Sequence, residues 1–350
     1  IEKLVEFSVQ LTEAPLSKSP EKKYKSIENS VLRTGNWVKV GVVQTGVYKI
    51  SKAFLSSLGM NSGFDPRNLR LYGNGGQILP EKNSDYYPDD LAENAIYVAG
   101  ESDGQMNDND FILFYAKGNT SWKADLIKGI FRPTKNLYAD TTWYFITADL
   151  GPGKRITPQV QSDLSADQIV QAFDDYQVIE NDEENLLKSG RKWVGNRMEI
   201  ITGHSFSLSF PDLLPGSHQL TAVLTGRNTS PVSGGSGFME TEMRLSVNGQ
   251  SFTQIIPGLS GISYLDTYCR ENEKNHVFET GSSSLNIQVS KQTASSTAWI
   301  DQLILNVKRS LKFRGPYLAF RHLESVGSGK TARFQLENAS TSVRIWEVTS

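Results

Sequence analysis

Between residues 198 and 307 one pattern recurs: a short run rich in alternating apolar and polar residues, followed by a polar turn. The runs are 198–202 (MEIIT), 205–210 (SFSLSF), 218–225 (HQLTAVLT), 240–247 (ETEMRLSV), 276–279 (HVFE), 284–290 (SLNIQVS) and 298–307 (AWIDQLILNV). A period of two buries one face of a strand and wets the other, so regularly spaced runs predict an antiparallel sandwich. Their spacing suits the jelly-roll type, in which two sheets close over one core.

The chain before this stretch is also extended in pattern. Strands are expected in LVEFSVQL (4–11), WVKVGVVQTGVYKI (37–50), LRLY (69–72), AIYVA (95–99), FILFYA (111–116) and TWYFITA (142–148). Within 37–50, Gln44-Thr45-Gly46 predicts a hairpin turn, with Gly46 in the left-handed conformation. SKAFLSSLG (51–59) predicts one short helix, capped by Ser51, apolar along Phe54, Leu55 and Leu58, and stopped by Gly59. GPGKRITPQ (151–159) reads as a boundary and 164–188 as helical or irregular. A chain of 350 residues predicts about two domains. The expected fold is therefore mainly β, with two β-rich domains and one or two short helices. An N-terminal strand and connector (1–30) lead to a β-rich domain (31–155). A jelly-roll-like antiparallel β-sandwich (160–312) and a β tail (313–350) follow, the tail with candidate strands at 316–321, 331–336 and 343–348.

A net charge of −2 and a pI near 6.2 supply no field to gather nucleic acid or an anionic membrane. No apolar run approaches the ~20 residues of a membrane-spanning helix. Cys269 is the single cysteine, so no internal disulfide forms. The chain starts at Ile1 without Met, which suits a removed leader.

RLYGNGGQILPEKN (70–83) invites a phosphate-loop reading. A phosphate loop needs Lys-Ser/Thr after its glycines and a helix beyond them. Neither is present, and Pro80 discourages the helix, so GNGG is expected to be a tight structural turn. None of the four histidines sits in a metalloprotease motif. Cys269 precedes His276 by seven residues, and a nucleophilic dyad is recognised by geometry rather than spacing, so the pair is a weak enzymatic alternative. In ESDGQMNDND (101–110), Asp103, Asn107, Asp108 and Asp110 concentrate hard oxygens, as calcium prefers, although the order is not that of an EF-hand. Calcium is the one cofactor this pattern suggests, and the competing expectation is a solvated turn. Trp193, Tyr264 and Tyr268 offer aromatic faces for a sugar, the basis of an alternative reading as a carbohydrate-binding module. Trp299 lies in so apolar a run that it is expected to be buried.

Several stretches together resemble one family. RTGNWVKVGVVQTGVYKIS (33–51), DPRNLRLYGNGGQILPE (65–81), DDLAENAIYVAGESDGQMNDNDFILFYAKG (89–118), NLLKSGRKWVGN (185–196), AWIDQLILNVKRSL (298–311) and FRHLESVGSGKTARFQLENASTSVRIWEVTS (320–350) occur in the order seen in the N-terminal, non-catalytic region of PorU-like sortases. These are gingipain-type cysteine peptidases of the Bacteroidetes type IX secretion system. The chain departs from the family at Asn196, His322 and Glu347. The resemblance implies that GNGG and the Asp-Gly segment are structural turns. It also implies that a peptidase domain with its own His and Cys follows the position of Ser350. No family catalytic residue maps onto this chain, and Cys269 does not match the catalytic motif. The implied parent processes C-terminal sorting signals of secretion cargo in the periplasm or at the outer-membrane surface, beside other type IX components.

Overall fold

A computed structural model describes residues 27–348, apart from 61–62, 160–164, 189, 191, 201, 264–265, 326 and 328. The strand expected at 4–11 lies outside the described residues. The first unit contains β1 (Val38–Val42), β2 (Gly46–Ser51), α1 (Lys52–Ser57), β3 (Arg70–Tyr72), β4 (Glu93–Asn94), β5 (Tyr97–Ala99), β6 (Phe111–Ala116), β7 (Thr120–Asp125), β8 (Ile130–Lys135) and β9 (Thr142–Thr147). One sheet runs β1-β9-β3-β4 and a second β2-β6-β5, while β7 and β8 form a separate hairpin. Val38, Val40, Val42, Leu71 and Ile146 from the first sheet meet Ile50, Ile112 and Phe114 from the second in one hydrophobic cluster. The Phe114 and Tyr144 rings touch across it, with centroids 5.5 Å apart.

Helix α1 starts as its sequence dictates: the Ser51 hydroxyl accepts from the Phe54 N–H at 3.2 Å, and Gly59 ends it at φ +90°. Of its apolar residues only Leu55 is buried; Phe54 and Leu58 are exposed. The hairpin expected over 37–50 is not formed. β1 pairs with β9 and β2 pairs with β6, so the two runs enter different sheets. Gly46 accordingly is not left-handed; it begins β2 opposite Ala116.

The second unit contains β10 (Gln168–Val170), β11 (Ala172–Ile179), β12 (Gly195–Met198), β13 (Gly203–Ser209), β14 (Gly216–Arg227), β15 (Thr241–Val247), β16 (Gln250–Ile256), β17 (Arg270–Thr280), β18 (Ser284–Lys291) and β19 (Thr297–Ser310), and β20 (Ala332–Phe334) follows in the tail. One antiparallel sheet has the order β11-β19-β14-β17, with β12 also on β19; the facing sheet runs β13-β18-β15-β16. Lettering β11 and β13 to β19 from B to I turns these orders into BIDG and CHEF, the strand order of a jelly roll. Met243, Leu245 and Val247 of β15 and Leu285, Ile287 and Val289 of β18 face Leu220, Leu224, Leu303 and Leu305 across the core. The two-residue Asn248-Gly249 turn joining β15 to β16 holds both residues at positive φ, +46° and +87°, the geometry that matches strand twist. Gln250 closes the sandwich edge: its side-chain oxygen accepts from the Glu279 N–H at 3.0 Å, and its amide donates to the Glu279 carbonyl.

The segment 164–188, expected to be helical or irregular, supplies β10 and β11 instead. β11 carries Asp174 and Asp175, which lower strand propensity but pair here with Lys308 (2.8 Å) and Arg309 (2.6 Å). Of the three strands expected in the tail only 332–334 forms; it pairs in parallel with β10, and 316–321 and 343–348 are irregular.

Candidate functional site

β3 delivers the chain into the GNGG turn, whose glycines are each required by what they touch. A side chain on Gly73 would strike the Tyr144 ring at 2.5 Å, and Gly75 holds φ +82°. Asn74 between them staples the turn: its amide donates to the Asp90 carbonyl at 3.0 Å and its oxygen accepts from the Ala92 N–H at 2.8 Å. Asn94 adds a bond from its amide to the Gly73 carbonyl at 2.8 Å. The turn is thus pinned by the Asn74 and Asn94 side chains, a structural turn as expected from the sequence, and it has no helix behind it.

That wall borders a groove of about 900 Å³. Its floor includes Tyr115 and Tyr144, and burial pushes both phenols above their ordinary range. The Tyr144 hydroxyl accepts from the Lys117 N–H at 2.8 Å, tying β9 to the end of β6. The opposite wall is 154–159. Arg155 anchors it with bonds to the Glu101 carboxylate (2.8 Å) and to the Leu69, Pro66 and Arg67 carbonyls (3.0, 2.9 and 2.8 Å). The fourth side is the far end of the chain, 344–348. Arg344 donates to the Tyr97 hydroxyl at 2.9 Å and lays its guanidinium 4.0 Å above the Tyr97 ring, and Trp346 is half-buried beside it. Four segments distant in sequence therefore meet at one groove. GNGG was visible as a turn and 343–348 as a candidate strand; Lys117, Lys154 and Tyr115 carried no local signal of a site, and Arg344 none beyond that strand.

Of the four residues considered for calcium, the three aspartates accept protein protons, two of them from Asn107. Asp103 accepts from the Gln105 N–H (2.9 Å) and the Asn107 amide (3.0 Å), Asp110 accepts from the Asn107 N–H (2.6 Å), and Asp108 pairs with Lys52 (2.9 Å). These contacts hold the Asp103 and Asp108 carboxyls below the usual range, through the Gln105 N–H for the first and the Lys52 ammonium for the second. Among the described residues no three His, Cys, Asp or Glu side chains are grouped as a metal ion requires. Of the aromatic trio, Tyr264 lies outside the described residues. Trp193 is half-buried, and Tyr268 carries the Arg227 guanidinium 4.4 Å over its ring. Trp299 is buried, as its run predicts, and donates to Glu184 at 2.8 Å.

Cys269 and His276 are not brought together. The strand β17 begins at Arg270, so seven residues of extended chain at about 3.3 Å each separate them by about 23 Å. Burial raises the Cys269 thiol, the opposite of activation. Asp301, also raised by burial, forms an ion pair with Lys192, which also contacts Glu271.

No protein-family model matches the chain, and no curated protein matches it. Among solved structures, dimeric latent PorU from Porphyromonas gingivalis aligns over 89% of this chain with a TM-score of 0.73 and 21% identity. The chain therefore has the fold of that segment, which spans 28% of the PorU chain. Family 35 carbohydrate-binding modules from Cellvibrio japonicus and Clostridium thermocellum align over 40% and 38% of this chain and 91% and 90% of their own, with TM-scores of 0.25 and 0.23 at 17% and 13% identity. Scores this low carry nothing over to this chain.

Proposed function

We propose that this chain is the non-catalytic N-terminal region of a larger cysteine peptidase of the PorU kind, one that processes C-terminal sorting signals of type IX secretion cargo. It scaffolds the peptidase domain and docks cargo or partner proteins, in the periplasm or at the outer-membrane surface. The observation that carries this is the likeness to latent PorU over 89% of the chain, in agreement with the order of motifs in the sequence. The site geometry supports it: a preformed groove and rigid turns supply contact surface, while burial raises the Cys269 thiol and the extended strand holds it about 23 Å from His276. Among the described residues no helix is long and apolar enough to cross a membrane.

The test is reconstitution in trans. The isolated peptidase domain of the parent protein is mixed with this chain, and association, melting temperature and peptide hydrolysis are measured. A scaffold binds the peptidase and raises its melting temperature; a masking segment also lowers its turnover. A peptidase that neither associates nor changes in either property overturns the proposal.

A further inference from the structure

The groove has a chemical sign. Lys117, Lys154 and Arg344 border it, and Glu347 is the one acid in its lining among the described residues. Neither lysine forms an ion pair among the described residues. The fourth cation, Arg155, is fully used in anchoring its own wall. The molecule as a whole is slightly acidic, at −2, so this concentration of positive charge is local. The same lining presents apolar faces, chiefly Tyr115, Ile156 and Trp346. At about 900 Å³ the space is within the range of built ligand sites.

One length of chain already lies along this surface: residues 344–348, held by Arg344 on Tyr97. That segment and the 73–75 turn both line the open space. A space of about 900 Å³ has room for a second length of main chain, whose carboxylates would meet the cations and whose apolar side chains would meet the rings. A nucleic acid suits it less, because the slightly negative molecule supplies no wider field to draw a polyanion.

We propose that this groove is the docking site for an extended acidic peptide segment, in which carboxylate side chains meet Lys117, Lys154 and Arg344 while interleaved apolar residues cover Tyr115 and Trp346. The assignment rests on the docking function proposed above and names the class of partner.

The test uses the whole chain and a fluorescein-labelled peptide of alternating Glu and Val, read by anisotropy at low and high salt, with a Lys-Val peptide as control. The Glu-Val peptide is expected to bind, to weaken with salt, and to lose about tenfold or more in affinity in the K117E/K154E variant. The milder K117Q/K154Q variant, with melting temperature checked, loses an intermediate amount and guards against misfolding of the charge reversal. Equal binding of the two peptides, or affinity indifferent to both variants, overturns the assignment. So does binding of an acidic oligosaccharide that the Glu-Val peptide fails to displace. Absence of peptide binding beside a normal effect on the peptidase in trans removes the groove assignment alone; absence of both removes the docking function as well.

Discussion

A side chain placed on Gly76 would lie 1.9 Å from the Thr142 hydroxyl oxygen and 2.7 Å from the Gly118 carbonyl oxygen. The first obstacle can rotate, but the second is backbone. Gly76→Ala is therefore expected to cost about 2–3 kcal/mol, read as a lower denaturant midpoint at unchanged slope. Gly129→Ala, at φ +64° with open space around it, is expected to cost only about 1 kcal/mol, the strain of the left-handed backbone. Equal losses at the two sites would mean that steric contact is not what makes Gly76 necessary. His276 allows a second test at this scale. Burial, and secondarily the Lys274 charge, pull its imidazole from 6.5 down to about 4, beside the Phe252 ring and 3.3 Å from the Gln254 side-chain oxygen. The folded pKa is depressed and the group is a base, so the unfolded chain takes up the proton first as pH falls. The stability that the neutral ring contributes is whole above about 6.5, declines through the interval, and is gone below about 4. The His276→Gln variant should lose less stability than the parent across that interval in urea titrations. Parallel pH profiles of the two proteins would refute the assignment.

Among the elements, what the sequence revealed and what it concealed separate along a physical line. Strands with one wet face, such as β15 and β18, declare themselves by period. The cap at Ser51, the stop at Gly59 and the turn at Gly75 declare themselves by residue type. Strand partners did not: β1 and β2 bury Val40 and Ile50 in the same core from different sheets, and nothing local distinguishes that from a hairpin. β7 (TSWKAD) and β8 (IFRPTK) were missed because charge and Pro133 dilute their pattern, and β16 was missed although Asn248-Gly249 announced its turn. The β7–β8 hairpin explains why β19 reads as one apolar run. Its inner residues, Leu303 and Leu305, face the sandwich core, while Ile304 and Asn306 are buried on the other side. There Asn306 imitates a strand neighbour, accepting from the Phe131 N–H at 2.7 Å and donating to its carbonyl at 3.1 Å. Asn306→Leu leaves both backbone groups unsatisfied, so a loss of about 2 kcal/mol is expected, with faster amide exchange confined to 120–135. Unchanged exchange in the hairpin would show that the amide is not what seats it.

For the whole molecule, the two units are tied by chain running in both directions. The β7–β8 hairpin leaves the first unit for the sandwich, where Trp122 stacks on Tyr176 at 3.7 Å and Arg132 pairs with Glu273. The tail leaves the sandwich, is fastened where Asp174 accepts from the Leu323 N–H at 2.7 Å, and returns to Tyr97 through Arg344. The groove exists only because that return brings 344–348 opposite a turn at 73–75, which is why its motifs were legible singly and the site was not. If both ties hold the units in register, the chain should unfold as one cooperative body despite its two separate cores. Trp122→Ala removes a large stacked ring and is expected to cost about 2 kcal/mol; Arg344→Ala removes an exposed cation–π contact and should cost about 1 kcal/mol or less. Each tie limits how far the other can open, so the two losses should not add. The double variant is expected to depart from the sum by about 0.5 kcal/mol or more, and its calorimetric trace to divide into two transitions where the parent shows one. A single transition in the double variant, with strictly additive losses, would mean that the units are joined by something other than these two crossings. The tail would then form the groove wall without helping to hold the molecule together.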